Sequence, residues 1–160
     1  MDNKTDWRIE RGLELILALV IVAALVGAFG GRTEPDRARV SSGDSVIAVE
    51  YHRISRNGMA EPLVVHVRNT GDSPVNQVEI RLTRSYLEGF NLQGITPSPE
   101  SELTDDRDLV LVYGALNARE SKAVQISLES EFPGKHPGAV RVTFPNADPV
   151  SVRFSTRVLP

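Results

Sequence analysis

The chain has 160 residues, no cysteine, and 18 Lys and Arg against 21 Asp and Glu, for a formal charge of −3. These values exclude disulfides, thiolate metal centres and a cysteine nucleophile, and no nucleic acid is expected as a partner, because phosphate backbones select basic chains. Once an anchor and leader are set aside, one domain of ordinary size remains, long enough to bury a core.

Residues 1–14 form a short charged tail in which Asp2, Asp6, Glu10 and Glu14 balance Lys4, Arg8 and Arg11. Trp7, Arg8 and Arg11 suit the headgroup layer, where an indole and snorkelling guanidinium groups are stable. Glu14 marks the aqueous end of the apolar run behind it, since a carboxylate in hydrocarbon is costly. From Leu15 to Gly31 the sequence is apolar, without a charge or a proline. At about 1.5 Å per helical residue the run covers about 26 Å, close to the roughly 30 Å hydrocarbon core, and predicts a transmembrane helix over 15–31.

A secretory signal peptide cleaved near Ala28 is the competing reading. It is disfavoured by a flank that is not simply basic and by a run longer than the roughly 7 to 15 residues of a signal h-region. Lys and Arg are balanced across the run, so the C-terminal domain is placed outside the cell membrane on architecture alone. Within the run Ala23, Gly27 and Gly31 recur every four residues, a spacing that lets two helices approach closely. That stripe is a candidate face for a homodimer or for a larger membrane protein. Small residues are also common in membrane helices generally, and Gly30 and Gly31 can simply end one.

Residues 32–45 are polar and read as a juxtamembrane linker. Strand signals then fill 46–160: Val46 to Ile54, Leu63 to Arg68, Val75 to Leu82, Phe90 to Ile95, Leu109 to Tyr113, Lys122 to Glu129, Ala139 to Phe144 and Val150 to Val158. Alternation picks out an inward set: Val78, Ile80 and Leu82; Val124, Ile126 and Leu128; Val140, Val142 and Phe144; Val150, Val152 and Phe154. Turns are expected at 69–74, 133–138 and 145–149, and one helical turn at 85–89. Seven to eight short strands at this spacing predict a mainly β protein, an Ig-like antiparallel sandwich behind one N-terminal helix.

Two stretches carry a family resemblance, Leu63 to Leu82 (LVVHVRNTGDSPVNQVEIRL) and Gly114 to Phe144 (GALNARESKAVQISLESEFPGKHPGAVRVTF). Together they resemble CARDB-like and related bacterial extracytoplasmic Ig-like modules over about a third of the chain. The chain departs from that pattern at Asn117, Ala118 and Arg119, where such modules usually carry Pro-Gly before Glu-Ser. The resemblance implies an extracytoplasmic spacer, adhesion or interaction module without catalysis. Read from the residues, Asn69, Gly71 and Asp72 form a turn device: Asn and Asp bond their own backbone, and Gly permits left-handed φ.

Chemistry-bearing motifs are sparse. His52, His66 and His136 show neither HxH nor HxxxH spacing, and no metal or cofactor is expected. The serines, Ser127 and Ser130 among them, fall in polar loops or on exposed strand parity without a nucleophile elbow. Asp105, Asp106 and Asp108, with Glu100 and Glu102 upstream, are the one crowd of oxygen ligands, but they lack the spacing and glycine of a calcium loop. Tyr86, Leu87, Phe90 and Leu92 form a candidate surface patch, or else close the core at one end.

The expected function is therefore a single-pass protein of the cell membrane, in contact with lipid. Its outer domain meets an unidentified membrane or envelope protein and is not an enzyme. The alternative is a cleaved, secreted or periplasmic module that binds a ligand or glycan.

Overall fold

The computed structural model describes residues 35–145 and 147–160. The predicted helix over 15–31, with Ala23, Gly27 and Gly31, and the tail over 1–14 lie outside them. Among the described residues no helix is long and apolar enough to cross a membrane.

Among the described residues eleven strands build two sheets. In chain order they are β1 (Asp36–Ser42), β2 (Ser45–Tyr51), β3 (Ile54–Arg56), β4 (Ala60–Asn69), β5 (Val78–Thr83), β6 (Phe90–Thr96), β7 (Ser101–Thr104), β8 (Asp108–Tyr113), β9 (Ser121–Ser130), β10 (Gly134–Thr143) and β11 (Val150–Leu159), with a one-turn helix α1 (Arg84–Leu87) before β6. One sheet has the order β1-β2-β4-β9-β6 and the other β3-β11-β10-β5-β8-β7. All neighbours are antiparallel except β3 beside β11.

All twelve residues of the alternating inward set are buried. The nine on β5, β10 and the segment through β11 face Val124, Ile126 and Leu128 of β9 together with Ile47, Val49, Leu63, Val65 and Val67 of β2 and β4, in one apolar core. Period-two alternation is sufficient here because each sheet has one wet face, so every second side chain must leave water.

The sandwich starts earlier than the expected boundary at residue 46, because Asp36–Ser42 within the supposed linker is strand β1. An edge strand pairs on one side only and can remain polar, so it lacks the apolar period that marks central strands. Backbone pairing with β2 and polar anchors hold it instead: Asp36 accepts a hydrogen bond from Tyr51 Oη at 3.3 Å and pairs with Arg53, while Arg37 pairs with Glu50. The expected strand 46–54 divides, as β2 stays in the first sheet and β3 crosses to the edge of the second.

The expected turn at 133–138 is the first half of β10, paired with β11 from Gly134 opposite Val158. β5 joins β10 only from Val140 onward, so Pro137 lies where β10 has one ladder partner and its missing N–H is tolerated.

The strand ends define two poles. At one lie Pro35, the 52–53 bend, the 57–59 turn, residues 131–133 and Leu159. At the other lie the turns at 43–44, 70–77, 114–120 and 144–149.

Candidate functional site

Two polar assemblies stand out, one at each pole. At the pole opposite Pro35, Asn69 is buried at the end of β4. Its Nδ2 donates to the carbonyls of Ser73 at 2.8 Å and Asn117 at 3.0 Å, and its Oδ1 accepts from the Gly71 N–H at 3.0 Å. The two stretches that carry the family resemblance thus meet at one side chain. Asp72 adds an exposed bridge to Arg119, accepting from Nη2 at 2.6 Å and Nε at 3.1 Å. Asn69 bonds the backbone of its own turn, whereas Asp72, expected to do the same, bonds Arg119 instead. Gly71 does not adopt positive φ; a Cβ there would sit 3.1 Å from Asp44 Cβ, so close approach rather than φ is what favours glycine.

The departure at 117–119 also has a local explanation. Arg119 takes φ 60°, Glu120 N–H donates to the Asn117 carbonyl at 3.2 Å, and the Glu120 carboxylate accepts from the Asn117 N–H at 2.7 Å. A side-chain cap thus shapes the turn that Pro-Gly would otherwise shape. Beside it a cleft of about 540 Å³ opens between the 43–44 turn, the 69–75 loop and the 144–148 loop, with Asp44, Asp72 and Asp148 in its wall.

At the Pro35 pole lies a cluster the sequence reading missed. Glu61, Ser130 and Thr156 occupy inward positions on β4, β9 and β11, and Ser55 joins them from β3; all four are buried. This corrects the exposed placement expected of Ser130. Ser55 Oγ hydrogen-bonds the Glu61 carboxylate and lies 2.9 Å from Ser130 Oγ, which donates to the Arg56 carbonyl at 2.8 Å. His52 Nδ1 stands 2.8 Å from Glu61 Oε2, in an ion-pair contact without hydrogen-bond alignment. Tyr86 Oη lies 3.1 Å from Thr156 Oγ1, which donates to the His52 carbonyl at 2.7 Å. Burial, reinforced by the charge of Glu61, pushes the Tyr86 hydroxyl up to about 12, against the opposing pull of Thr156.

Ser, His and Glu together suggest a nucleophile relay, but the order is different. In a relay the imidazole stands between hydroxyl and carboxylate and takes the proton. Here the carboxylate stands between Ser55 and His52, so the hydroxyl donates to Glu61 and faces no imidazole base. The arrangement hydrogen-bonds one oxygen of a buried carboxylate, leaves Oε2 with the His52 contact alone, and brings four strands together. One signal was available in the sequence: Glu61, Ser130 and Thr156 each share inward parity with the apolar residues of their own strand, near the same pole.

The other candidates resolve as follows. In the proposed surface patch, Tyr86 and Phe90 are buried, Leu87 packs against the core, and Leu92 alone is exposed. Two aromatic neighbours hold Tyr86, with Phe90 and Phe154 ring centroids at 4.6 and 4.9 Å. The patch is a core closure, because α1 tips these rings inward over β10. Gly138 makes room for them, since a Cβ there would meet Phe154 and Tyr86 at 2.8 and 2.9 Å.

The acidic crowd is the β7–β8 hairpin turn. Asp105 Oδ1 accepts the N–H groups of Arg107 and Asp108 at 2.8 and 2.7 Å, and those bonds hold its carboxyl below the usual range. Among the described residues no three His, Asp or Glu side chains are placed to hold a metal ion. His66 lies on the outward parity of β4 as expected, half-exposed, 3.2 Å from Glu50. Burial, then the charge of Arg37, lowers its pKa.

No protein-family model matches the chain, and no curated protein does. Among solved structures it is similar to a cohesin module from a Clostridium perfringens family 33 glycoside hydrolase, at 14% identity over 74% of this chain and 98% of that one, with a TM-score of 0.50. It is also similar to the CARDB domain of a Pyrococcus furiosus protein, determined in complex with di-metal ions, at 14% identity over 79% of this chain and 90% of that one, with a TM-score of 0.46. A type I cohesin from Pseudobacteroides cellulosolvens is 9% identical over 68% and 89%, with a TM-score of 0.44. The likeness to the cohesin module is one of fold alone: the described residues form a two-sheet, Ig-like β-sandwich.

Proposed function

We propose that this chain is a single-pass protein of the cell membrane whose Ig-like sandwich, held outside, binds another protein and performs no chemistry. The supporting observation is the uncharged run Leu15 to Gly31, followed after only residues 32–35 by the first strand of a folded module. An apolar stretch of that length is stable in hydrocarbon, and a folded domain so close behind it is carried to the bilayer surface.

Two surfaces are available to a partner. The free edges of β1, β6 and β7 present backbone groups to which an added strand can bond. Ala23, Gly27 and Gly31 offer a close-packing stripe in the bilayer, for a second copy or another membrane protein. The central carboxylate of the Ser55–Glu61–His52 cluster supports a structural role for the chain's best-placed polar side chains.

The test is the intact mass of alkali-extracted membrane protein, combined with labelling of Ser73→Cys by an impermeant maleimide in intact cells. Full mass and labelling are expected. Loss of roughly the first 28 residues would instead establish the released, ligand-binding module, and protection of position 73 from the label would place the sandwich inside.

A further inference from the structure

The geometry points to the Pro35 pole of the sandwich as a lipid-facing surface that rests in the headgroup layer of the bilayer holding residues 15–31, an inference that depends on the anchor reading. The chain enters the sandwich at this pole. Residues 32–35 span at most about 14 Å when fully extended, while the headgroup region beyond the hydrocarbon is only about 5 to 8 Å deep. A folded body on so short a tether keeps the end it is tied by close to the headgroups.

That end has the matching chemistry. Met59 and Phe132 are more than half exposed, at 55% and 53%, and Leu159 is 37% exposed. Backbone bonds hold this rim in place: Asn57 N–H to the Leu159 carbonyl at 2.9 Å, Gly58 N–H to the Ser130 carbonyl at 2.7 Å, and Ser130 N–H to the Met59 carbonyl at 3.0 Å. The apolar tips are thus presented on rigid backbone.

Beside them is a basic group. Lys135 and Arg157 stand directly opposite each other across β10 and β11, and Arg56 stands opposite Leu159 across β3 and β11. Like charges in direct cross-strand register repel unless an anion lies between or above them. None of the three makes an ion pair among the described residues. The exposed carboxylates of this end, Glu88, Glu129 and Glu131, lie on its other side, beside Gly89 and the 57–59 turn. Apolar tips flanked on the β3–β11–β10 side by unpaired bases match a phospholipid surface, with acyl chains under the tips and phosphates against the bases.

The test uses the full chain, whose lack of cysteine permits clean single-site labelling. Met59→Cys, Phe132→Cys, Ser73→Cys and Ala23→Cys are each given a nitroxide and reconstituted in phosphatidylcholine vesicles containing about a third phosphatidylglycerol. Collision rates with oxygen, which partitions into lipid, and with a water-soluble nickel chelate are then measured. At positions 59 and 132 nickel collisions are expected to fall several-fold below those at position 73 while oxygen collisions rise. Adding Arg56→Glu and Arg157→Glu should return both sites toward the values at 73 without moving those at 23.

If 59 and 132 remain as open to nickel as 73 while 23 is shielded, the lipid-facing pole is refuted and the anchor stands. A fall in both rates at 59 and 132 means that protein covers the pole, which also overturns the inference. Nickel access at 23 would remove the anchor reading and this inference with it.

Discussion

Asn69 and His66, three residues apart on β4, are sensitive to different things. Removing the Asn69 amide strips the Ser73 and Asn117 carbonyls of their donor inside the fold. Asn69→Ala is expected to cost about 1 to 3 kcal/mol, the penalty for stranding buried polar groups. Urea unfolding measures it, and a loss below a few tenths of a kcal/mol would show that water replaces the amide.

His66 instead couples the fold to pH. Its folded pKa is depressed, first by burial and then by Arg37, so the unfolded chain holds the proton more tightly than the sandwich does. Its contribution is therefore complete above the unfolded value of about 6.5 and is lost as pH falls through that value toward the folded one. The urea midpoint should drop between neutral and mildly acid pH, and His66→Gln should flatten that slope. An unchanged slope would assign the acid sensitivity to other groups.

At the scale of elements, the turns separate two reasons for glycine. Gly43, in the two-residue β1–β2 turn, has φ 52° and open space within 4 Å of where a Cβ would stand, so only its backbone conformation is at stake. Gly43→Ala should cost about 1 to 2 kcal/mol, the penalty of left-handed φ for a residue with a Cβ. Gly138 has ordinary φ, but its Cβ would drive into Phe154 and Tyr86. Gly138→Ala should cost more than Gly43→Ala and disturb near-ultraviolet dichroism from Tyr86, which Gly43→Ala leaves alone. Equal costs and identical aromatic spectra would refute the distinction.

Elements also show where sequence patterns carry information. Central strands such as β5 and β9 were legible because both neighbours and the facing sheet enforce alternation. β1, β3 and β7 are edge strands with little or no burial, so nothing in their residues announces them.

Across the whole molecule, the two-sheet architecture was readable from alternation and turn spacing, while its boundaries and its polar interior were less so. Tyr86 and Phe90 looked like a patch because a local window cannot show that α1 folds them under Phe154. The Glu61 cluster was hidden for a related reason: its members lie on four strands, and only pairing brings them to one pole.

The crossing of β3 to the edge of the second sheet has a consequence for biosynthesis. Ile54–Arg56 pair with Arg157–Leu159, about a hundred residues later in the chain. As the protein is made, this early segment must wait without its ladder partner until β11 has left the ribosome. Closure of the sandwich therefore waits for β11, and until then the nascent chain depends on its surroundings to keep a long, open β surface from pairing elsewhere.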